Sequence, residues 1–238
     1  MTKVKDLLLS LQSSLKDAIL ASRLEHGEIT LEIDNKALKK VCQMLRDDPL
    51  FLFEQLIDVC GVDYLHYGLS EWQTTETTLT GFERGVEPIL EISPNAKWQK
   101  PRFAVVYHLL SITHNHRVRL RVFACEKDPI VDSVVDIWPS ANWFEREAFD
   151  LFGIFFANHP DLRRILTDYD FIGHPFRKDF PLTGHVEVRY DAKAERVIYE
   201  PVDFEERVLV PKVIRKEQQH DTQPSELELP EDLEAKNA

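Results

Sequence analysis

Val4, Leu8, Leu11, Leu15 and Ile19 recur at three- and four-residue intervals, which predicts an amphipathic helix over the first twenty residues. Gly27 ends that pattern, and Ile29, Leu31 and Ile33 then alternate with Thr30 and Glu32, the period of a half-buried strand. Asp34 or Asn35 is placed to cap a helix that turns Leu38, Val41 and Leu45 inward and stops before Pro49. Phe51 to Cys60 reads as a second short helix, with Gly61 as its terminator. Residues 68–100 mix Thr, Gly, Pro and charge without a sustained period and read as a long excursion, shaped as a loose hairpin. Phe103, Val105, Tyr107 and Leu109 alternate, as do Val118, Leu120 and Val122. The polar turn His114-Asn115-His116 between them predicts an antiparallel hairpin. Arg117, Arg119 and Arg121 then share the face opposite the core, read here as solvated, with a docking surface for an acidic partner as the alternative.

Asn142, followed three residues later by Glu145, resembles a capping box and opens another helix, with Phe144, Ala148, Leu151 and Phe152 as its apolar stripe. Glu145, Glu147 and Asp150 are expected on its opposite face, with Arg146 reaching Asp150 across one turn. These elements predict an α+β domain over residues 1–153, a two-layer sandwich of helices on a mostly antiparallel or mixed sheet. From Gly153 to about Pro211 periodicity is lost, yet the stretch holds aromatic and aliphatic side chains that are costly to leave in water. Residues 154–215 are therefore expected to form a long extended C-terminal arm that buries these side chains against another protein. Residues 216–238 read as an acidic tail, flexible unless a partner orders it.

A formal net charge of −12 argues against wrapping nucleic acid or lying on anionic lipid. Cys42, Cys60 and Cys125 are odd in number and far apart, which fits a reducing compartment better than a disulfide framework. Gln12, Ser13, Ser14 and Lys16 interrupt the early leucines, so no signal peptide is expected. The apolar run Phe103 to Leu110 is too short to cross a bilayer.

Candidate chemistry is sparse. Glu147 and Asp150 are the residues that a freestanding carboxylate-dependent hydrolase would use, as an acid–base pair or as metal ligands. A di-metal bundle, however, needs a Glu-x-x-His helix that the sequence lacks. His159, His174 and His185, with Asp161 or Asp179, match no zinc spacing, and Pro160 and Pro175 mark two of these histidines as turn residues. There is no Cys-x-x-Cys for an iron–sulfur cluster, no Gly-x-Ser-x-Gly and no glycine-rich phosphate loop. No catalytic, cofactor-binding or metal-binding residue is expected on this chain.

The run Glu145-Arg146-Glu147-Ala148-Phe149-Asp150-Leu151-Phe152-Gly153-Ile154, then His159-Pro160-Asp161-Leu162-Arg163-Arg164-Ile165-Leu166, resembles the 30 kDa subunit family of respiratory complex I, the C-type subunits of bacterial NADH:quinone oxidoreductase. The resemblance continues through Gly173-His174-Pro175 and Arg177-Lys178-Asp179-Phe180-Pro181-Leu182 to Glu187-Val188-Arg189-Tyr190-Asp191. It implies a scaffold without its own cofactor, in a peripheral arm on the cytoplasmic side of a bacterial inner membrane. NADH, FMN, iron–sulfur clusters and quinone would belong to the rest of the assembly. The implied partners are the 49 kDa-type subunit and neighbouring cluster-bearing subunits, and membrane contact would come only through the complex. The expected contact residues are Glu145, Arg146, Glu147, Asp150, His159, Asp161, Arg163, Arg164, His174, Arg177, Lys178, Asp179, Phe180, Arg189 and Tyr190. Among them Arg163, Arg164, Arg177 and Lys178 are read as donors to partner carboxylates. The same scaffold role in a related membrane-bound hydrogenase is the nearer alternative, and the hydrolase the more distant one.

Overall fold

A computed structural model of the chain describes residues 2–65, 67, 72–74, 86–88 and 98–203. The tail assigned to residues 216–238, the end of the arm and most of the 68–100 excursion lie outside the described residues. Within the excursion, β4 (Trp72–Thr74) and β5 (Val86–Pro88) pair antiparallel. They belong to a compact unit separate from the one built by residues 1–69 and 93–207.

The main unit is an α+β two-layer structure. Its sheet runs in the order β1 (Ile19–Glu25), β2 (Glu28–Ile33), β7 (His116–Ala124), β6 (Phe103–Ser111), β3 (Gln55–Asp63). Only the β2–β7 pair is parallel. Alternation along each strand turns Ile29, Leu31, Ile33, Phe103, Val105, Tyr107, Leu109, Val118, Leu120 and Val122 into one buried cluster. Three helices cover that cluster: α1 (Thr2–Leu15) through Leu7, Leu11 and Leu15, α2 (Leu38–Asp47) through Leu38, Val41, Cys42 and Leu45, and α3 (Ala141–Phe152) through Ala141 and Ala148. Each fully buried leucine, isoleucine or phenylalanine contributes about 1.5–3 kcal/mol relative to exposure. On the other sheet face Arg119 pairs with Glu28, and Lys100 and Arg121 both close on Glu32, while Arg117 is exposed. The arginine face is thus largely charge-balanced within the sheet.

One expected helix is shorter than its pattern suggests, and another gives way to a strand. The first helix ends at Leu15, and Ile19 opens β1, which returns to β2 through His26 and Gly27 at φ of 52° and 81°. Two successive residues with positive φ are what a two-residue hairpin turn requires, so Gly27 marks a turn between strands rather than a helix end. Phe51 to Cys60 is not helical either. The bulge in β3 between Leu56 and Asp58 puts Leu56 and Val59 on the same buried face at a three-residue spacing, which mimics a helical stripe. Gly61 lies inside that strand, where a Cβ would sit 2.6 Å from Cδ2 of Phe152, so it lets α3 lie close to the sheet.

After α3, β9 (Phe155–Ala157) pairs parallel with β8 (Ile130–Asp132). Residues 158–185 contain no helix or strand, and β10 (Val186–Asp191) and β11 (Arg196–Pro201) form an antiparallel ribbon.

Candidate partner interface

Residues on α3 do not share a solvated face. Glu145 and Asp150 are fully buried, Arg146 is nearly so, and Glu147 alone of this set is exposed. The chain on either side of the helix covers that face and supplies partners for its charges. No side-chain cap forms at Ser140, the residue before the helix, and Asn142 lies one residue inside it, so the expected capping box is absent. Glu145 instead accepts hydrogen bonds from Ser133 Oγ at 2.6 Å and from the Val134 N–H at 2.8 Å. Burial pushes its carboxyl up to about 7, although both hydrogen bonds pull the other way. His159 approaches to 3.9 Å. The Asp161 N–H donates to His159 Nδ1 at 3.0 Å, so the ring carries its proton on Nε2, which donates to Asn142 O at 3.2 Å. Burial lowers the His159 pKa, which keeps the ring neutral.

Asp150 has the opposite surroundings. Its Oδ2 accepts the N–H groups of Ile165, Leu166 and Thr167 at 3.0, 2.7 and 2.9 Å, and its Oδ1 accepts the Thr167 hydroxyl. Arg164 stands 3.5 Å from the same oxygen and also donates to Thr167 Oγ1 and to the Gly173 carbonyl. Burial would raise the Asp150 pKa, but the Thr167 hydroxyl and the three N–H groups outweigh it and hold the carboxyl below its ordinary range. The expected Arg146–Asp150 pair therefore does not form; Arg146 reaches Asp161 at 3.1 Å, and Arg163 meets the same carboxylate at 3.1 Å.

A second fastening lies near the end of β3. Arg102 grips the buried Asp63 with two hydrogen bonds of 2.8 and 2.7 Å and also pairs with Asp179 at 2.9 Å, while the Lys178 N–H donates to Asp63 at 2.8 Å. A third closes the end of α3. Arg177 donates from Nε to the Phe152 carbonyl at 2.7 Å, its guanidinium carbon lies 4.9 Å from the Phe103 ring centroid, and His174 donates to the Asp150 carbonyl at 2.9 Å. Gly153 makes this possible: at φ of 69° it ends the helix, and a Cβ there would meet Arg177 Nη2 and His174 Nε2 at 2.5 Å.

Of the residues expected at an interface, then, Glu145, Arg146, Asp150, His159, Asp161, Arg164, His174, Arg177 and Asp179 are engaged within the chain. Lys178 contributes its backbone to that fastening, and its side chain is exposed. Phe180 is half-buried, stacked on Phe171. Arg163 is mostly exposed, Glu147 lies outside the fastenings, and Arg189 and Tyr190 stand on the ribbon, where Arg189 pairs with Glu200. Asp63, Arg102, Ser133 and Thr167 were not anticipated. Lys178 reaches Asp63 across 115 residues, and no local pattern marks either partner. Asp150 is spent on its donors and forms no pair with exposed Glu147. Among the described residues no group of three or more His, Cys, Asp or Glu is arranged to hold a metal ion.

Beyond these fastenings the arm and ribbon leave large apolar side chains in the open, including Tyr169, Ile172, Phe176, Leu182, Val188, Tyr190, Val197 and Tyr199. Among the described residues no helix is long and apolar enough to cross a membrane.

The family described as "Respiratory-chain NADH dehydrogenase, 30 Kd subunit" matches residues 31–186. The C-type subunit of the NADH-quinone oxidoreductase of Coxiella burnetii (strain RSA 493 / Nine Mile phase I) is 62% identical over 189 residues, 79% of this chain and 82% of its own. The Legionella pneumophila (strain Corby) protein of the same name is 55% identical over 220 residues, 92% of this chain and 96% of its own. That of Hydrogenovibrio crunogenus is 55% identical over 214 residues, covering 89% and 95%. A solved structure titled "Nqo5 of the trypsin-resistant fragment (1-134) in P63 form" aligns with a TM-score of 0.46 at 27% identity, covering 67% of this chain and 98% of that one.

Proposed function

The chain belongs to the 30 kDa subunit family of the respiratory-chain NADH dehydrogenase, and from that membership we propose that it is a scaffold subunit of a bacterial NADH:quinone oxidoreductase. In this reading it contributes no cofactor. It organises neighbours that carry electrons from NADH through FMN and iron–sulfur clusters to quinone while protons are translocated. Its partners are the 49 kDa-type subunit and adjacent cluster-bearing subunits, and its place is peripheral, on the cytoplasmic side of the inner membrane.

The observation that carries the proposal is the pairing of a fastened arm with an exposed apolar surface. Tyr169, Ile172 and Leu182 are 79, 69 and 97% exposed, on a segment tied to the domain by buried polar groups. Side chains of this kind, held in place and uncovered, are what a permanent protein interface uses as anchors. The exposed Glu147 and Lys178 side chains, and Arg163 beside its exposed partner Asp161, set register with a partner in this reading.

The test is an affinity pull-down of the full chain from gently solubilised membranes, with flavin, iron–sulfur absorbance and NADH:quinone activity assayed in the eluate. Co-purification of all three is the expected result. Hydrogenase activity in their place would move the scaffold to a related complex, and a colourless monomer from the soluble fraction would refute the scaffold role.

A further inference from the structure

We infer that the groove between the β10–β11 ribbon and residues 168–185 is a binding site for a partner segment carrying an apolar side chain beside a lysine or arginine. The inference rests on the scaffold reading and names the chemistry of one partner contact.

The groove has a volume of about 340 Å³. Phe171 and Phe180 line it, their rings stacked with centroids 5.6 Å apart, and His185 meets Phe180 edge-on at 5.2 Å. Gly173 is needed for this arrangement, since a Cβ there would lie 2.9 Å from the Phe180 ring, and its φ of 99° favours glycine. Val188 and Tyr199, cross-strand partners on one face of the ribbon, form the other wall. That apolar face continues past the groove through Tyr190 and Val197, which are also paired and exposed. A two-stranded ribbon is at best marginally stable with such a face in water. Strands of six residues, about 20 Å long at the usual rise, present more surface than a small ligand covers. The occupant is therefore a polypeptide.

Its charge follows from the groove's polar lining. Asp168 and Asp170 border the groove and are exposed, and neither side chain has a hydrogen bond or ion pair among the described residues. Among the described residues no lysine or arginine lines the groove. Two uncompensated carboxylates beside an apolar cleft favour a cation placed next to the inserted side chain and disfavour an acidic segment.

The experiment replaces Tyr199 by the photo-crosslinking p-benzoylphenylalanine in the full chain, and Val188 in a second preparation. Each assembled complex is irradiated and the attached peptide sequenced by mass spectrometry. The expected product is a peptide of another subunit with Lys or Arg within a few residues of the attachment point. Replacing Asp168→Asn together with Asp170→Asn should cut its yield several-fold, and the remaining yield should depend less on salt. Attachment to residues 204–238 of the same chain would show that its own tail fills the groove and overturn the inference. A partner peptide without a basic residue would also overturn it, as would no product from either position while other subunits co-purify. Failure of any subunit to co-purify would remove the scaffold reading itself, and this inference with it.

Discussion

Residues 161–180 have no regular secondary structure and are nevertheless fastened at three places, whereas residues 186–201 form a regular ribbon whose apolar face is uncovered. Backbone regularity and anchorage have come apart. In the first region buried carboxylates do what a strand ladder does elsewhere: Asp150 and Asp63 together collect backbone N–H groups from Ile165, Leu166, Thr167 and Lys178. In the second the ladder is complete, but among the described residues the apolar face of the ribbon is left largely exposed. A segment can therefore be held without secondary structure when its N–H groups meet a buried acceptor, and a well-formed ribbon can still depend on a partner.

The strongest way to break this contrast is Asp150→Ala. It removes the acceptor of three N–H groups and one hydroxyl and leaves Arg164 half-buried without its carboxylate. The expected cost is about 3 kcal/mol or more. Amide exchange at Ile165, Leu166 and Thr167 should accelerate strongly while the β6 and β7 amides stay protected. Unchanged protection at those three residues would show that the fastening does not depend on Asp150.

A smaller, pH-dependent effect separates the two buried acids of α3. Glu145 has its pKa raised from an ordinary 4.5 to about 7. Between those values the folded chain holds a proton that the unfolded chain has lost, so Glu145 makes stability fall as pH rises from about 4.5 to about 7. Asp150, lowered from an ordinary 3.8, contributes stability that is present above that value and is lost only as pH falls through its lower folded pKa. Glu145→Gln should flatten the stability profile across the higher window and leave the acid limb unchanged, as read by denaturant unfolding at a series of pH values. An unaltered slope there would assign the pH dependence to other groups.

The smallest effect is expected on the ribbon. Arg189→Ala breaks the exposed pair with Glu200 and should leave the melting temperature of the isolated chain unchanged, because water and salt screen that pair. A measurable fall would mean that the ribbon is cooperatively joined to the domain and would weaken the contrast.

Much of the sheet was legible from alternation alone, because β2 and β7 set apolar side chains on one face against polar or charged ones on the other, and β6 keeps Phe103, Val105, Tyr107 and Leu109 on the same buried face. β3 was not, because its bulge moves Leu56 and Val59 onto one face at a spacing that period-counting assigns to a helix. The charged residues of α3 and the arm were identified as a group, but not the hydrogen bonds that Arg164 and Arg177 make within their own chain. Spacing reports which side of an element a residue occupies. It does not report that a later segment returns to cover that side.

The sequence by itself determined the layered α+β domain, the absence of any familiar redox or nucleotide motif and the family, since these rest on local period, composition and motif order. Only the tertiary structure decided which acids are buried, which partners they take and which apolar side chains remain uncovered. Those outcomes depend on contacts between residues up to 115 positions apart, such as the Lys178 N–H on Asp63. The free energy of such a contact comes from removing both groups from water together, a condition that neither residue's local sequence records.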